Sequence, residues 1–279
     1  MTHPLQPGQL PSGRPEPSHP QAGPLGLGDA AASARLALSC LDLTSLNEAD
    51  TEADIARLCR RATGPFGSTA AVCVWPRLAA FARRELPTEV VVAAVANFPD
   101  GSADTARAVA DTRAIVDAGA QEVDVVIPYR QLDAAPALLA AVRRACEGLL
   151  LKVILETGEL ADAQQVALAC RIALEAGADF LKTSTGKVRV NATPQAARAL
   201  LQAIAADPAA QARVGFKPAG GIRTVADAQV YLSLVREILG DTALSPRRFR
   251  IGASGLLDDI EAVLGGQAGA SAAGRPSAY

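Results

Sequence analysis

One stretch of the chain, EAGADFLKTSTGK at residues 175–187, contains the unit from which we predict the fold. A helical pattern ends at Glu175, a glycine follows where helices commonly turn into the left-handed region, and a short apolar run begins at Phe180. The same helix end, DAGA at residues 117–120, precedes a second apolar run. A helix that stops at glycine and leads directly into a strand is typical of repeated β/α units.

Strand-like runs recur along the chain, and each is followed by a helical pattern rich in Ala, Leu and Arg. We predict strands at Leu36–Leu43, Ala70–Trp75, Val90–Phe98, Glu122–Pro128, Leu150–Glu156, Phe180–Thr185, Val214–Pro218 and Phe249–Ala253. Two helix starts support the pattern: Thr193-Pro194 has an N-cap and a first-turn proline, and Thr224 with Asp227 forms a capping-box variant. Eight such units predict an α/β fold, a single (β/α)₈ TIM barrel. The alternative is a doubly wound open sheet, which the lack of a GxGxxG turn after the first strand disfavours.

The two ends of the chain differ from this central part. Residues 1–32 contain seven prolines and no periodic apolar pattern, so they predict a disordered extension. This segment lacks the apolar core of a signal peptide and the arginine-rich pattern of a transit peptide. Residues 265–279 are rich in Gly, Ala and Ser and predict a flexible C-terminal tail. The barrel domain is therefore predicted over residues 33–264.

Composition excludes several classes of protein. A net charge of −2 offers no electrostatic footprint for nucleic acid or for an anionic membrane, and no apolar run approaches the length of a transmembrane helix. Only 4% of the residues are aromatic whereas 49% are hydrophobic, so the core must be built from Ala, Val, Leu and Ile. The five cysteines show no CxxC spacing, which favours reduced, mostly buried thiols and a cytoplasmic location.

Lysine is almost absent from the chain. Only Lys152, Lys182, Lys187 and Lys217 are lysines among 27 basic residues, and each ends or follows a predicted strand. Arginine replaces lysine in a surface ion pair, but its guanidinium stays charged and cannot attack a carbonyl. The pattern indicates chemistry by a lysine amine. The alternative interpretation is a codon bias whose four exceptions lie there by chance.

Strand alternation predicts which of these side chains meet. If Lys182 points into the barrel, Ser184 does too, and Lys217 on the next strand lies about 5 Å away at the backbone. Two ammonium groups so close disfavour each other's charge, so one amine should lose its proton near neutral pH. Asp124, within an apolar strand, is costly to bury without partners or a role. The alternative for Asp124 is a purely structural ion pair with one of the lysines.

Glycines mark the carboxyl ends of the last two predicted strands. Gly220-Gly221 follows the seventh strand with Arg223 close behind, and Gly252 with Ser254 ends the eighth. In TIM barrels these two loops commonly bind phosphate, because glycine lets backbone N–H groups approach an anion. The sequence therefore predicts a phosphate site at this edge of the barrel.

The chain resembles the deoxyribose-phosphate aldolase family along nearly all of residues 36–264. The strings that carry the resemblance are LDLT at 41–44, EVDVV at 122–126 followed by PYR at 128–130, ETGEL at 156–160, GADFLKTSTGK at 177–187 and GFKPAGGIRT at 215–224. The resemblance implies a class I aldolase that reversibly cleaves 2-deoxy-D-ribose 5-phosphate to acetaldehyde and D-glyceraldehyde 3-phosphate. A homodimer is one assembly to expect.

The resemblance also implies roles for particular residues. It makes Lys182 the Schiff-base lysine, Lys217 the residue that tunes it and Asp124 the proton shuttle, with Asp42 and Lys152 in the polar network. Phosphate contacts carry over to Gly186, Lys187, Gly220, Gly221, Arg223, Gly252 and Ser254. Gly255 stands where relatives often have a second serine, so we expect weaker binding of the phosphate group. The C-terminal Tyr279 matches relatives whose last tyrosine assists proton transfer.

No metal or other cofactor is expected, because both histidines lie in the N-terminal extension and no Cys, Asp or Glu ligands cluster in the sequence. Two other functions fit the same barrel. A phosphosugar isomerase would use a carboxylate or histidine base without a Schiff base. A non-catalytic phosphosugar-binding protein would keep the loops and lose the chemistry. The lysine pair and Asp124 disfavour both.

Overall fold

A computed structural model describes residues 29–266. Most of the predicted N-terminal extension, both histidines, Tyr279 and nearly all of the predicted tail lie outside the described residues.

The first described element corrects two predictions. Helix α1 spans Ala30–Ser39, whereas the sequence predicts disorder up to residue 32 and a strand that begins at Leu36. The helix begins where it does because the Asp29 carboxylate accepts a hydrogen bond from the Ala31 N–H, at 2.9 Å. The Ala- and Leu-rich sequence that follows favours a helix, and the apolar run at 36–43 is divided between this helix and the first strand.

The eight predicted barrel strands are confirmed, with bounds that are shorter than predicted. They are β1 Leu41–Thr44, β2 Ala71–Val74, β3 Val91–Ala96, β4 Glu122–Val126, β5 Leu150–Ile154, β6 Phe180–Lys182, β7 Gly215–Lys217 and β8 Ile251–Ala253. Every pair of neighbours is parallel, and the order runs β8-β1-β2-β3-β4-β5-β6-β7. Single bridges, Phe216 to Phe249 and Ala219 to Gly252, bring β7 beside β8 and complete the ring.

Helices alternate with these strands and surround them. They are α2 Glu52–Ala62, α3 Pro76–Glu85, α4 Thr105–Asp117, α5 Ala135–Ala145, α6 Ala163–Glu175, α7 Pro194–Ala206, α8 Val225–Leu239 and α9 Leu256–Leu264. The predicted starts of α7 and α8 are confirmed, with Thr193 capping one and the Thr224–Asp227 capping box the other. A short hairpin, Thr63–Gly64 with Gly67–Ser68, was not predicted.

The core is built from small and branched aliphatic side chains, as the low aromatic content predicts. Strand β2, for example, is buried along its whole length. All five cysteines are buried free thiols, and burial raises the pKa of Cys40 and Cys170 to about 12. Within residues 29–266, no helix combines the length and apolar character needed to cross a membrane.

Candidate active site

Four strands bring the candidate side chains to one place inside the barrel. The Cα atoms of Lys182 on β6 and Lys217 on β7 are direct partners in the parallel register, and those of Asp124 on β4 and Lys152 on β5 are partners as well. The predicted neighbourhood of the two lysines is confirmed. Lys152, Lys217 and Asp124 are fully buried, and Lys182 is 3% exposed.

Asp124 is the centre of this arrangement. Its Oδ2 accepts hydrogen bonds from the Nζ atoms of Lys182 and Lys217, each at 2.8 Å, and its Oδ1 accepts one from Lys152 Nζ at 2.7 Å. Burial alone would raise the pKa of Asp124, but the three ammonium groups outweigh it and hold that pKa well below its usual range. An ion pair with the lysines, the alternative interpretation of Asp124, is present and involves all three of them.

The three lysines differ in how the site treats their charge. Burial lowers the pKa of Lys182; Asp124 opposes this effect, and the nearby Lys217 ammonium adds to it. Burial acts in the same direction on Lys152 and Lys217, but the carboxylates around them prevail and the pKa of each is raised. Of these three lysines, Lys182 is therefore the one whose amine most readily becomes neutral, and only a neutral amine is a nucleophile.

A second group of charges, Asp42, Glu122 and Arg250, lies next to the lysines that bind Asp124, and sequence reasoning missed Glu122 and Arg250. Asp42 on β1 lies 2.5 Å from Lys217 Nζ through its Oδ2, as the resemblance implied that it would join the network. Glu122 accepts from Lys152 at 2.5 Å, and Arg250 bonds with both carboxylates at 2.7 Å. Strand alternation places Glu122 on the face of Asp124 and Arg250 on the face of Gly252, but this spacing does not reveal that the two side chains meet.

The predicted alternation along β6 does not continue past Lys182, where the strand ends. The alternation predicts that Ser184 points into the barrel like Lys182 and that its neighbour Thr183 does not. Instead both hydroxyls reach the backbone after β7: Ser184 Oγ donates to the Ala219 carbonyl at 2.9 Å, and Thr183 Oγ1 accepts from the Ala219 N–H at 3.0 Å. Because the extended strand has ended here, successive side chains no longer alternate between the two faces of the sheet.

Glu156, which follows β5, is a further buried carboxylate without a predicted role. Its backbone has a φ of 53°, a left-handed conformation that is uncommon for a residue other than glycine. Its Oε2 accepts from Thr185 Oγ1 at 2.5 Å, and Thr185 Oγ1 in turn accepts from the Lys187 N–H at 3.0 Å. Glu156 thus holds the loop that carries Gly186 and Lys187. Burial raises its pKa, and the hydrogen bonds from Thr185 oppose this.

The predicted phosphate residues lie at the carboxyl ends of β6, β7 and β8, with Gly252 inside β8 and the others on the loops that follow the three strands. Gly186, Gly220 and Gly221 have φ values of 85°, 83° and 82°, which side chains rarely adopt. At Gly220 an added Cβ would lie 2.7 Å from the Cβ of Asn191, and at Gly252 it would lie 2.9 Å from the Cβ of Ala219. Space therefore requires glycine at both positions, and at Gly220 the positive φ requires it as well.

The helices after these loops differ in their free N–H groups. At α8 the Asp227 carboxylate already accepts from the N–H groups of Arg223 and Thr224, each at 3.0 Å. At α9 the N-cap is Gly255, and no side chain caps the helix. The α9 end, beside Gly252 and Ser254, thus has no side-chain cap on its N–H groups, and its first turn carries the carboxylates of Asp258 and Asp259. Arg223 is exposed, and its predicted phosphate contact stays a prediction.

A family comparison agrees with this geometry. The profile of the DeoC/LacD family aldolases matches residues 36–257. The chain belongs to the DeoC/LacD aldolase family. A curated family member from Agrobacterium fabrum, named deoxyribose-phosphate aldolase, is 51% identical over 249 residues, which are 86% of this chain and 95% of that protein.

Solved structures share the fold at lower identity. A crystal structure from Toxoplasma gondii has a TM-score of 0.79 at 24% identity, covering 87% of this chain and 98% of the other. A tetrameric deoxyribose phosphate aldolase from Aeropyrum pernix has a TM-score of 0.68 at 24% identity, covering 84% of this chain and 97% of that one. Both likenesses support the barrel architecture.

Metal-ligating side chains do not gather in the part of the chain that the structure describes. No group of three or more His, Cys, Asp or Glu residues there has an arrangement that could hold a metal ion. The carboxylates of Asp42, Glu122 and Asp124 are each bonded to ammonium or guanidinium groups.

Proposed function

We propose that this member of the DeoC/LacD family is a class I aldolase that reversibly cleaves 2-deoxy-D-ribose 5-phosphate to acetaldehyde and D-glyceraldehyde 3-phosphate. The observation that carries the proposal is the buried Lys182 amine, 2.8 Å from Asp124, with a lowered pKa. The substrate follows from the relative that is 51% identical and is named deoxyribose-phosphate aldolase.

Lys182 supplies the covalent step. Its neutral amine attacks C1 of the open-chain aldehyde, a C–N bond forms, and loss of water leaves an iminium. The C3 hydroxyl then loses its proton and the C2–C3 bond breaks, with its electron pair moving into the iminium to give an enamine. Glyceraldehyde 3-phosphate leaves with the new C3 aldehyde. Protonation of the enamine carbon and hydrolysis release acetaldehyde and restore the amine.

Asp124 has a more restricted role than a simple base. Because three ammonium groups keep its pKa well below the usual range, it holds a proton poorly. Its Oδ2 faces the nitrogen of Lys182 and is placed to stabilise the cationic iminium as it forms. We assign proton transfer at the C3 hydroxyl to a water that Asp124 orients. Lys217, Lys152 and Asp42 fix that carboxylate in place.

The phosphate group is assigned to Gly186, Lys187, Gly220, Gly221, Arg223, Gly252 and Ser254. Arg223→Gln should raise KM for deoxyribose 5-phosphate by about 10-fold, since one charge-assisted contact is lost. Turnover of unphosphorylated 2-deoxyribose should not change, because that substrate never uses the contact. Steady-state kinetics with the two sugars make the comparison. An equal loss with both sugars would argue against a phosphate role for Arg223.

Tyr279 lies outside the described residues, and its role is proposed from the family resemblance alone. Tyr279→Phe should slow protonation of the enamine by about 10- to 10³-fold, the range for one proton-transfer group. Solvent deuterium incorporation into acetaldehyde isolates this step, and Lys182 should still be trapped as an imine. An exchange rate equal to that of the wild type would remove Tyr279 from the mechanism.

The proposed function is tested by reduction with borohydride in the presence of acetaldehyde, followed by peptide mass spectrometry. One adduct on Lys182 is expected. A phosphosugar isomerase or a non-catalytic binding protein would give none, and an adduct on Lys217 or Lys187 would reassign the nucleophile. We further propose a homodimer, which sedimentation velocity distinguishes from the tetramer described for the Aeropyrum pernix relative.

A further inference from the structure

Arg250 is a buried cation that the mechanism above does not use. It precedes β8, is 6% exposed, and its guanidinium lies 5.7 Å from the centre of the Phe180 ring. It makes no hydrogen bond to Lys182. Nη1 donates to Asp42 Oδ1 at 2.7 Å, Nη2 donates to Glu122 Oε1 at 2.7 Å, and Nη1 also reaches Glu122 Oε2 at 3.2 Å. Arg250 therefore bridges the two carboxylates that stand behind Asp124.

Those two carboxylates compete with Asp124 for the same lysines. Lys217 Nζ is shared between Asp42 at 2.5 Å and Asp124 at 2.8 Å. Lys152 Nζ is shared between Glu122 at 2.5 Å and Asp124 at 2.7 Å. Each lysine thus donates both to the front carboxylate, Asp124, which contacts Lys182, and to one of the two rear carboxylates, Asp42 and Glu122, which contact Arg250.

We infer that Arg250 is a positioning residue that holds Lys152 and Lys217 on Asp124 by neutralising the two rear carboxylates. Without its guanidinium, Asp42 and Glu122 would be left with the lysines as their only cations among the described contacts, and would draw them away from Asp124. Asp124 would then be compensated by Lys182 alone, and Lys182 would keep its proton. The inference rests on the proposed role of Lys182 as the imine-forming amine.

The charged or titratable groups around Lys182 in the described part of the chain all enter this balance. From the packed elements these are Asp124 and Glu122 on β4, Lys217 on β7, Cys73 on β2, Lys152 on β5, Asp42 on β1, Glu156 after β5 and Arg250 before β8. Burial raises the pKa of Cys73, so its thiol stays neutral. Glu156 bonds Thr185 and is unchanged in all the variants below, so it cannot account for differences between them.

Two substitutions should shift the pH midpoint for imine formation in opposite directions. Arg250→Gln removes a cation, so the pH midpoint for imine formation at Lys182 should rise by about one unit or more. Glu122→Gln removes a carboxylate and releases Lys152 to Asp124, so that midpoint should fall. The double variant removes one charge of each sign and should return the midpoint close to the wild-type value. A role in packing alone predicts no such reversal of sign or cancellation.

The experiment measures the initial rate of Lys182 labelling by acetaldehyde and cyanoborohydride as a function of pH, read by peptide mass spectrometry. Arg248→Gln is the matched control, because the Arg248 guanidinium donates only to the carbonyls of Gln211 and Val214 in the described contacts. Its midpoint should not move. Circular dichroism and thermal unfolding check that each variant is folded. If Arg250→Gln alone does not fold, the inference is still tested by the lower pH midpoint expected for Glu122→Gln and by the wild-type midpoint expected for the double variant.

Suppose that Lys182 is labelled in the wild type, but the pH midpoints of the single variants do not move or both move in the same direction. That result would overturn the inference and leave the proposed function intact. Absence of any Lys182 adduct in the wild type would overturn the proposed function, and with it this inference. Opposite shifts that cancel in the double variant support the assignment of Arg250.

Discussion

Lys182→Arg should abolish aldol cleavage, with a loss on the order of 10⁴-fold or more, as expected when a covalent nucleophile is removed. The substitution keeps a positive charge beside Asp124, so the buried ion cluster stays compensated. Arginine cannot lose its proton to become a nucleophile, and no imine forms. Cleavage of deoxyribose 5-phosphate, followed through release of acetaldehyde, measures the loss.

Two controls separate lost chemistry from lost structure. Arg198→Lys makes the opposite exchange on the exposed face of α7, where Arg198 pairs with Glu237, and should keep the wild-type rate. Borohydride with acetaldehyde should leave the Lys182→Arg protein without an adduct. Residual cleavage within about 10-fold of wild type, or a new adduct on Lys217, would show that another amine performs the reaction.

The barrel could be predicted from sequence because its repeats are local. Each unit shows an apolar run, a helix start and a glycine stop, and these signals depend on neighbouring residues alone. Gly119 and Gly177, for instance, have the positive φ expected after a helix end. The prediction failed at Leu36–Leu43, where one apolar run serves both a helix and a strand. Periodicity cannot divide such a run, because Ala and Leu suit both elements when they are buried.

The candidate site was predictable only in part, for a physical reason. Lys182, Lys217 and Asp124 stand out because a charge within or at the end of an apolar strand needs a partner or a role. Pairing between distant segments is not visible in the same way. Arg250 and Glu122 lie 128 residues apart, and in a chain with 27 basic residues no single arginine attracts notice. The register of the closed barrel brings them together.

The loop around Glu156 shows a second limit. Its carboxylate accepts a hydrogen bond from Thr185, and the backbone at Glu156 takes a left-handed turn, with a φ of 53°. Glycine is the residue that signals such a turn in a sequence, and glutamate gives no such signal. The contact that holds the Lys187 loop was therefore outside what periodicity and turn residues predict.

Lys217→Leu should lower the rate of aldol cleavage at neutral pH by at least about 10²-fold. The Lys217 ammonium, fully buried, shares Asp124 Oδ2 with Lys182 and helps to lower the pKa of Lys182. When it is replaced by an apolar side chain, Asp124 retains its attraction for the Lys182 proton while the repulsion disappears. The pKa of Lys182 therefore rises, and the acid limb of the pH–rate profile should move to higher pH. Raising the pH should recover part of the lost rate.

The same substitution should also destabilise the fold, and the two effects are separable. Lys217→Leu leaves Asp42 Oδ2 without its nearest cation in a fully buried position, which costs about 3–5 kcal/mol when one partner of a buried pair is removed. Lys217→Arg keeps the charge and should restore both stability and the position of the acid limb toward wild type. A stability loss with an unshifted pH–rate profile would make Lys217 a structural partner of Asp42. A shifted profile that Lys217→Arg reverses would show that its charge keeps the amine of Lys182 neutral enough to attack.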